Sequence, residues 1–169
     1  MEIHFKDLAE GHNDLCFQET QESLSLKPQD LFLMKPVEVS LTVIKTKEKL
    51  AFYGKMEAWA EPECARCLKL FAITLKAEVK FILDQSEAAS RAEFQDDDYQ
   101  SVSKAVATYN LTQRLREALL LSLPMRFLCS PDCQGLCPKC GANLNIEKCG
   151  CKKEEIDPRW GKLEQMLKE

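Results

Sequence analysis

Six of the nine cysteines in this 169-residue chain lie between Cys129 and Cys151. Thiols at that density dictate local structure, because they cross-link, coordinate a metal or form a redox pair, and each outcome demands a different backbone. Within the stretch, Cys137-Pro-Lys-Cys140-Gly141 has the form of a zinc knuckle. Two thiolates separated by two residues grip one ion, and the glycine permits the left-handed turn behind them. Cys149-Gly-Cys151 follows after eight intervening residues, and Gly150 lets the backbone bend so that two close thiolates face the same ion. Cys137, Cys140, Cys149 and Cys151 then surround one zinc. Cys129 and Cys133, four residues apart, are able to replace either pair. A second arrangement divides eight cysteines into two sites, with Cys64 and Cys67 meeting Cys129 and Cys133. Its alternative leaves Cys64 and Cys67 as small apolar residues that tighten a turn. Disulfides require an oxidising compartment, a redox Cys-x-x-Cys is usually set in a βαβ context that Asn143-Leu-Asn-Ile does not suggest, and the ferredoxin spacings of an iron–sulfur protein are missing.

The opening Met-Glu-Ile-His-Phe-Lys-Asp-Leu has neither the basic nor the apolar region of a secretory leader, and no apolar run approaches the roughly eighteen residues of a membrane span. The expectation is a cytoplasmic protein with reduced cysteines and no membrane partner. Net charge by segment runs from −5 over residues 81–100 to +3 over residues 35–80. No segment is basic enough to hold nucleic acid by phosphate neutralisation alone, which excludes unspecific RNA binders and gives no reason to expect DNA. The cationic concentration consists of Lys45, Lys47, Lys49, Lys55, Arg66 and Lys69. These are the candidate contacts for RNA or a partner, set against the reading of an ordinary solvated face.

The pattern elsewhere specifies an α+β fold. Ile3 and Phe5 suggest a first short strand, and Gly11-His-Asn-Asp a break before Leu15 to Phe17. Val37, Val39, Leu41 and Val43 take alternate positions, then Phe52, Met56 and Ala58 do so after the turn at Lys45 to Lys49, then Phe71 to Leu83 form the longest period-two run. This predicts an antiparallel meander with one buried face. A short strand near Val102 to Thr108 rejoins the sheet. Asn110 with Gln113 forms a capping box for a helix over 110–123, whose apolar face is Leu111, Leu115, Ala118 and Leu119 and which Pro124 ends. Two domains follow from this: an α+β domain over 1–124 and a cysteine-rich zinc module over 125–169, with a short C-terminal helix from Asp157-Pro158 on which Trp160 is a packing anchor. His4 and His12 stand alone and read as solvated or structural, Cys16 as a small buried residue, and Asp96-Asp-Asp98 as a solvated loop in preference to a cation site. No phosphate-binding glycine loop or nucleophile elbow is present, so nothing in the sequence marks an enzyme.

Three strings together resemble one family. They are Cys64-Ala-Arg-Cys67-Leu68, the helix from Asn110-Leu-Thr to Pro124, and Cys133-Gln-Gly-Leu-Cys-Pro-Lys-Cys-Gly-Ala-Asn-Leu-Asn145 followed by Cys-x-Cys and Asp157-Pro-Arg159. The chain is similar over residues 35–168 to the YceD family, the large ribosomal RNA subunit accumulation proteins. The resemblance implies a protein without catalytic activity, needed for normal levels of large-subunit ribosomal RNA, whose partner is the large-subunit RNA precursor or a ribosomal protein. Two rivals come from other classes: a thiol redox enzyme or sensor using Cys64 and Cys67 beside Arg66, and a zinc-dependent adaptor that binds only protein.

Overall fold

The structure, a computed structural model, describes residues 1–27, 31–86 and 98–151. After β1 (Glu2–His4) and a 3-10 turn over Phe5–Asp7, the chain enters β2 (Gly11–Glu19), β3 (Val37–Lys45), β4 (Lys49–Ala60) and β5 (Ile73–Asp84). These last four form an antiparallel meander, with registers such as Leu15↔Leu41, Val43↔Phe52 and Phe52↔Phe81. Gly11-His-Asn-Asp therefore opens a strand where a break was expected. Asn13 Nδ2 donates to the carbonyls of Ala9 and Gly11 at 2.8 and 3.2 Å, so its polar side chain secures the entry to the strand.

The strand expected near Val102 to Thr108 is replaced by two others on either side of it. β6 (Tyr99–Ser101) adds to β5 in parallel, giving a mixed five-stranded sheet in the order β2-β3-β4-β5-β6. β7 (Thr108–Asn110) pairs with β1 in a separate two-stranded sheet. Asn110 Oδ1 then accepts the Thr112 N–H at 2.9 Å and starts α1 (Thr112–Leu121). The expected capping box is not made, because Leu111 takes the N-cap, Asn110 reaches the N–H of Thr112 and not that of Gln113, and Gln113 Nε2 donates forward to Glu117 Oε1 at 2.9 Å. A mixed, mostly antiparallel sheet with one helix among the described residues is an α+β architecture.

One face of the sheet carries the core. Val37, Val39, Leu41, Val43, Leu50, Phe52, Met56 and Leu83 are fully buried there, and Leu111, Leu115 and Leu119 of the helix segment close over them. Phe52 and Phe81 stack with centroids 4.4 Å apart and planes 6° from parallel. The opposite face is solvated, as an antiparallel sheet with one packed side allows. Its charges pair off, Lys76 with Glu57 at 3.2 Å and Lys80 with Glu78 at 2.7 Å. Cys16 lies exposed, its sulfur 3.9 Å from Ser40 Oγ, which corrects the expectation that it is buried. Asp96, Asp97 and the expected C-terminal helix segment with Trp160 fall outside the described residues.

A buried carboxylate fastens β6 to the meander. Asp84 is 2% exposed, and it accepts from the Tyr99 hydroxyl, from the Ser86 N–H at 2.7 Å and from Lys49 Nζ at 3.2 Å. Burial alone would raise its pKa, but the Tyr99, Ser86 and Lys49 hydrogen bonds outweigh it and hold the carboxyl well below the usual carboxylate range. Since the folded value lies below the unfolded one, the stabilisation is complete above about pH 4 and is lost as pH falls toward the folded value. Thermal melts of the protein and of Asp84→Asn should therefore differ most near neutral pH and converge on acidification toward about pH 2.

Candidate metal centres

Two turns of the chain share one hydrogen-bond frame. In the connection between β4 and β5, the Cys64 N–H donates to Lys69 O at 2.9 Å and the Leu68 N–H to Cys64 O at 2.9 Å, with Glu63 and Leu70 bridged outside. In the later segment, the Cys137 N–H donates to Ala142 O at 2.8 Å and the Gly141 N–H to Cys137 O at 2.9 Å, with Leu136 and Asn143 bridged outside. The residue after the second cysteine is left-handed in both, Leu68 at φ 58° and Gly141 at φ 75°. The first turn is thus a knuckle of the same design as the second. The glycine that advertises the second is absent from the first, where an exposed leucine takes the conformation that favours glycine. The repeat Cys-x-x-Cys was the signal available in the sequence.

Each knuckle meets a second pair of cysteines. Cys64 Sγ lies 3.8 Å from Cys133 Sγ and Cys67 Sγ 3.6 Å from Cys129 Sγ, and all four sulfurs lie within 4.8 Å of one another. Cys137, Cys140, Cys149 and Cys151 converge within the same limit. Of the two divisions left open by the sequence, the structure brings the eight cysteines together as two quartets. A tetrahedral ion bonded to four sulfurs at about 2.3 Å separates neighbouring sulfurs by about 3.8 Å. The two separations in the first quartet, 3.8 and 3.6 Å, are close to that value and far beyond the roughly 2.05 Å of a disulfide, and the second quartet lies within the 4.8 Å that such a set spans. Either quartet is therefore able to hold a metal ion.

The surroundings differ. Cys64, Cys67 and Cys133 are buried with Phe71, Leu128 and Leu136 packed around them, whereas in the second quartet only Cys137 is buried. The Cys129 N–H, 3.4 Å from Cys64 Sγ, draws that thiol down to about 6 against the opposing effect of burial. The Cys67 sulfur beside Cys129, together with burial, pushes the Cys129 thiol up to about 12. The second quartet repeats this, the N–H groups of Cys140 and Lys139 drawing Cys137 down to about 6 and the Cys140 sulfur pushing Cys151 up to about 12. Each quartet gives up its first proton readily and its last reluctantly. Four thiolates crowd together only when a cation compensates them, and binding it releases protons.

The basic candidates do not gather in one place. Lys45 Nζ donates to the carbonyls of Phe5 and Leu8, both at 2.8 Å, and Lys49 is paired with Asp84. Arg66 and Lys69 belong to the first knuckle at the other end of β4, a strand about 36 Å long. Lys55 projects from the middle of that strand beside Glu78 and Lys80, and Lys47 is exposed in the turn before it. Arg66 has a structural task that sequence reasoning missed, its Nη1 donating to Cys133 O at 2.8 Å and Pro131 O at 3.3 Å. No helix among the described residues is long and apolar enough to cross a membrane.

Residues 52–167 match a family model described as large ribosomal RNA subunit accumulation protein YceD. An uncharacterized protein of Mycobacterium tuberculosis is 34% identical over 132 residues, which cover 78% of this chain and 62% of that protein. An uncharacterized protein of Mycobacterium leprae is 29% identical over 157 residues, 90% of this chain and 70% of the relative. A chloroplastic protein of Arabidopsis thaliana named large ribosomal RNA subunit accumulation protein YCED homolog 1 is 28% identical over 152 residues, 76% of this chain and 47% of its own. The chain spans less than two thirds of the M. tuberculosis relative and about half of the Arabidopsis one. No solved structure matches it.

Proposed function

The chain belongs to the YceD family of large ribosomal RNA subunit accumulation proteins, and on that premise we propose that it is a non-enzymatic cytoplasmic factor in large-subunit biogenesis whose fold is completed by two zinc ions. The observation that carries the functional reading is the family match over residues 52–167, a span that contains all eight cysteines of the two quartets. Zinc suits an all-thiolate tetrahedral set, and a closed set of four protein ligands marks a structural site with no open position for substrate. The ligands are Cys64, Cys67, Cys129 and Cys133 in one site and Cys137, Cys140, Cys149 and Cys151 in the other. In this reading the residues after α1 form a zinc module that is joined to the sheet domain through the first site.

A redox role for Cys64 and Cys67 fits less well, because reactive thiols need exposure and these two are 0% and 5% exposed. Contact with the large-subunit precursor, or with a ribosomal protein on it, is by shape-specific docking, since the cations are dispersed and largely occupied. Lys47, Lys55 and Lys69 remain the exposed basic candidates for that contact.

Depleting the protein from cells and quantifying both ribosomal RNAs tests the role. Mature large-subunit RNA should fall while small-subunit RNA holds. Equal loss of both, or normal levels of both, overturns the ribosomal reading. Elemental analysis of protein purified under reducing conditions should return two zinc ions per chain. Folded, metal-free protein overturns the zinc reading independently.

A further inference from the structure

Resting on the zinc reading above, we propose that the two sites are coupled, with Asn145 as the positioning residue through which occupation of the second quartet strengthens metal binding by the first. Asn145 lies in the second quartet's own segment, between Cys140 and Cys149, yet its Nδ2 donates to Cys133 Sγ of the first quartet at 3.4 Å. Its Oδ1 accepts the Gln134 N–H at 2.7 Å, so one amide group serves both the ligand and the backbone beside it. Asn143 Oδ1 holds the Asn145 N–H at 3.0 Å and Nδ2 at 2.8 Å, which fixes the direction of the amide.

The backbone around Asn145 is set by the second knuckle. Leu136 and Asn143 are bridged on either side of Cys137 to Cys140, and the Leu144 N–H donates to Gly135 O at 2.9 Å. The same hairpin leans on the first knuckle. The Leu136 N–H donates to Arg66 O at 3.2 Å, and a Cβ on Gly135 would lie 3.0 Å from that carbonyl, so the two backbones touch where only a left-handed glycine at φ 75° fits. Arg66 returns the contact by donating to Cys133 O. A metal in the second quartet closes the hairpin that carries Asn145, and Asn145 donates to a thiolate of the first. Hydrogen bonds to ligand sulfur disperse its charge, and losing such an outer partner typically costs about 10- to 100-fold in metal affinity. Thermodynamic linkage makes the effect reciprocal, so the first ion favours the second by the same factor.

Cobalt(II), read by its thiolate charge-transfer absorbance against a competing chelator, tests this on four full-length proteins: wild type, Asn145→Ala, Cys137→Ser/Cys140→Ser, and the triple variant. In the serine pair, the remaining first quartet should bind cobalt about 10- to 100-fold more weakly than the wild-type first quartet does with the second already filled. Asn145→Ala alone should lower the product of the two binding constants by a similar factor and shift the charge-transfer band, with two ions still bound. The triple variant should lose nothing beyond the serine pair, since both changes remove one interaction. Wild-type protein that binds fewer than two ions overturns the zinc reading and the coupling together. Two ions with an unchanged product of binding constants in Asn145→Ala, or additive losses in the triple variant, overturn the coupling alone. Asn145→Ala leaves every ligand in place, so its result stands even if the serine pair fails to fold.

Discussion

Serine at both Cys64 and Cys133 is expected to release the segment after α1 from the sheet while the sheet itself stays folded. The first quartet ties residues that lie 69 and 62 positions apart, Cys64 to Cys133 and Cys67 to Cys129. Because β5 and α1 stay folded within that loop, only about ten residues beyond α1 are freed, and by the chain-entropy relation for a cross-link closing a loop of that length is worth about a hundredfold in the local folding equilibrium. Apart from the proposed metal, the junction is held by the Ala65 to Phe127 backbone bond at 2.8 Å, the Arg66 contacts and a small apolar shell. Amide protection of residues 129–145 should fall by about two orders of magnitude. Protection of β3 and β4 should hold, because the sheet and α1 have their own buried cluster distinct from the one around the cysteines. Native-state hydrogen exchange reads both quantities in one experiment. Loss of protection throughout the sheet would show instead that the metal site nucleates the whole fold.

The reciprocal change, Phe52→Ala, should strike the sheet. Phe52 is 0% exposed, stacks on Phe81 at 4.4 Å and approaches Tyr109 at 6.3 Å, so truncation removes contacts that tie β4 to β5 and to the β7 strand near α1. Emptying a site of this kind typically costs about 3–5 kcal/mol, out of a total stability of about 5–15 kcal/mol for an ordinary domain. The urea midpoint should fall accordingly, while the metal content of the fraction that remains folded stays as in the wild type. A shift below about 1 kcal/mol would mean that the neighbouring side chains collapse into the space.

The parts of the molecule legible in the sequence are those fixed by neighbours along the chain. Val37 to Val43 and Phe71 to Leu83 alternate because each strand has one wet and one dry face, and that pattern needs no knowledge of the partner strand. The second quartet was equally local, with all four cysteines inside fifteen residues from Cys137 to Cys151. The first quartet was not, and the sequence offered it only as one of two arrangements, because spacing cannot decide whether two pairs separated by more than sixty residues meet. Leu68 obscured it further by occupying the place that glycine takes in the matching knuckle. β6 escaped notice for another reason: Tyr99, Gln100 and Ser101 are all half-buried, so no alternation marks them. Charge counting located the lysines and arginines but not their partners, and Lys45, Lys49 and Arg66 turned out to be anchored within the fold.

The long span of the first quartet also fixes an order of events during synthesis. Cys67 leaves the ribosome 62 residues ahead of Cys129, an interval of about 3–12 s at ordinary elongation rates. β4 and β5 are complete within that interval, and their hairpin presents the first knuckle as a half-site with two thiolates and no closing partners. On the proposed zinc reading, an ion bound at that stage would keep open positions for the emerging Cys129 and Cys133 to fill. Residues 129–133 consequently dock onto a surface that the sheet has already shaped.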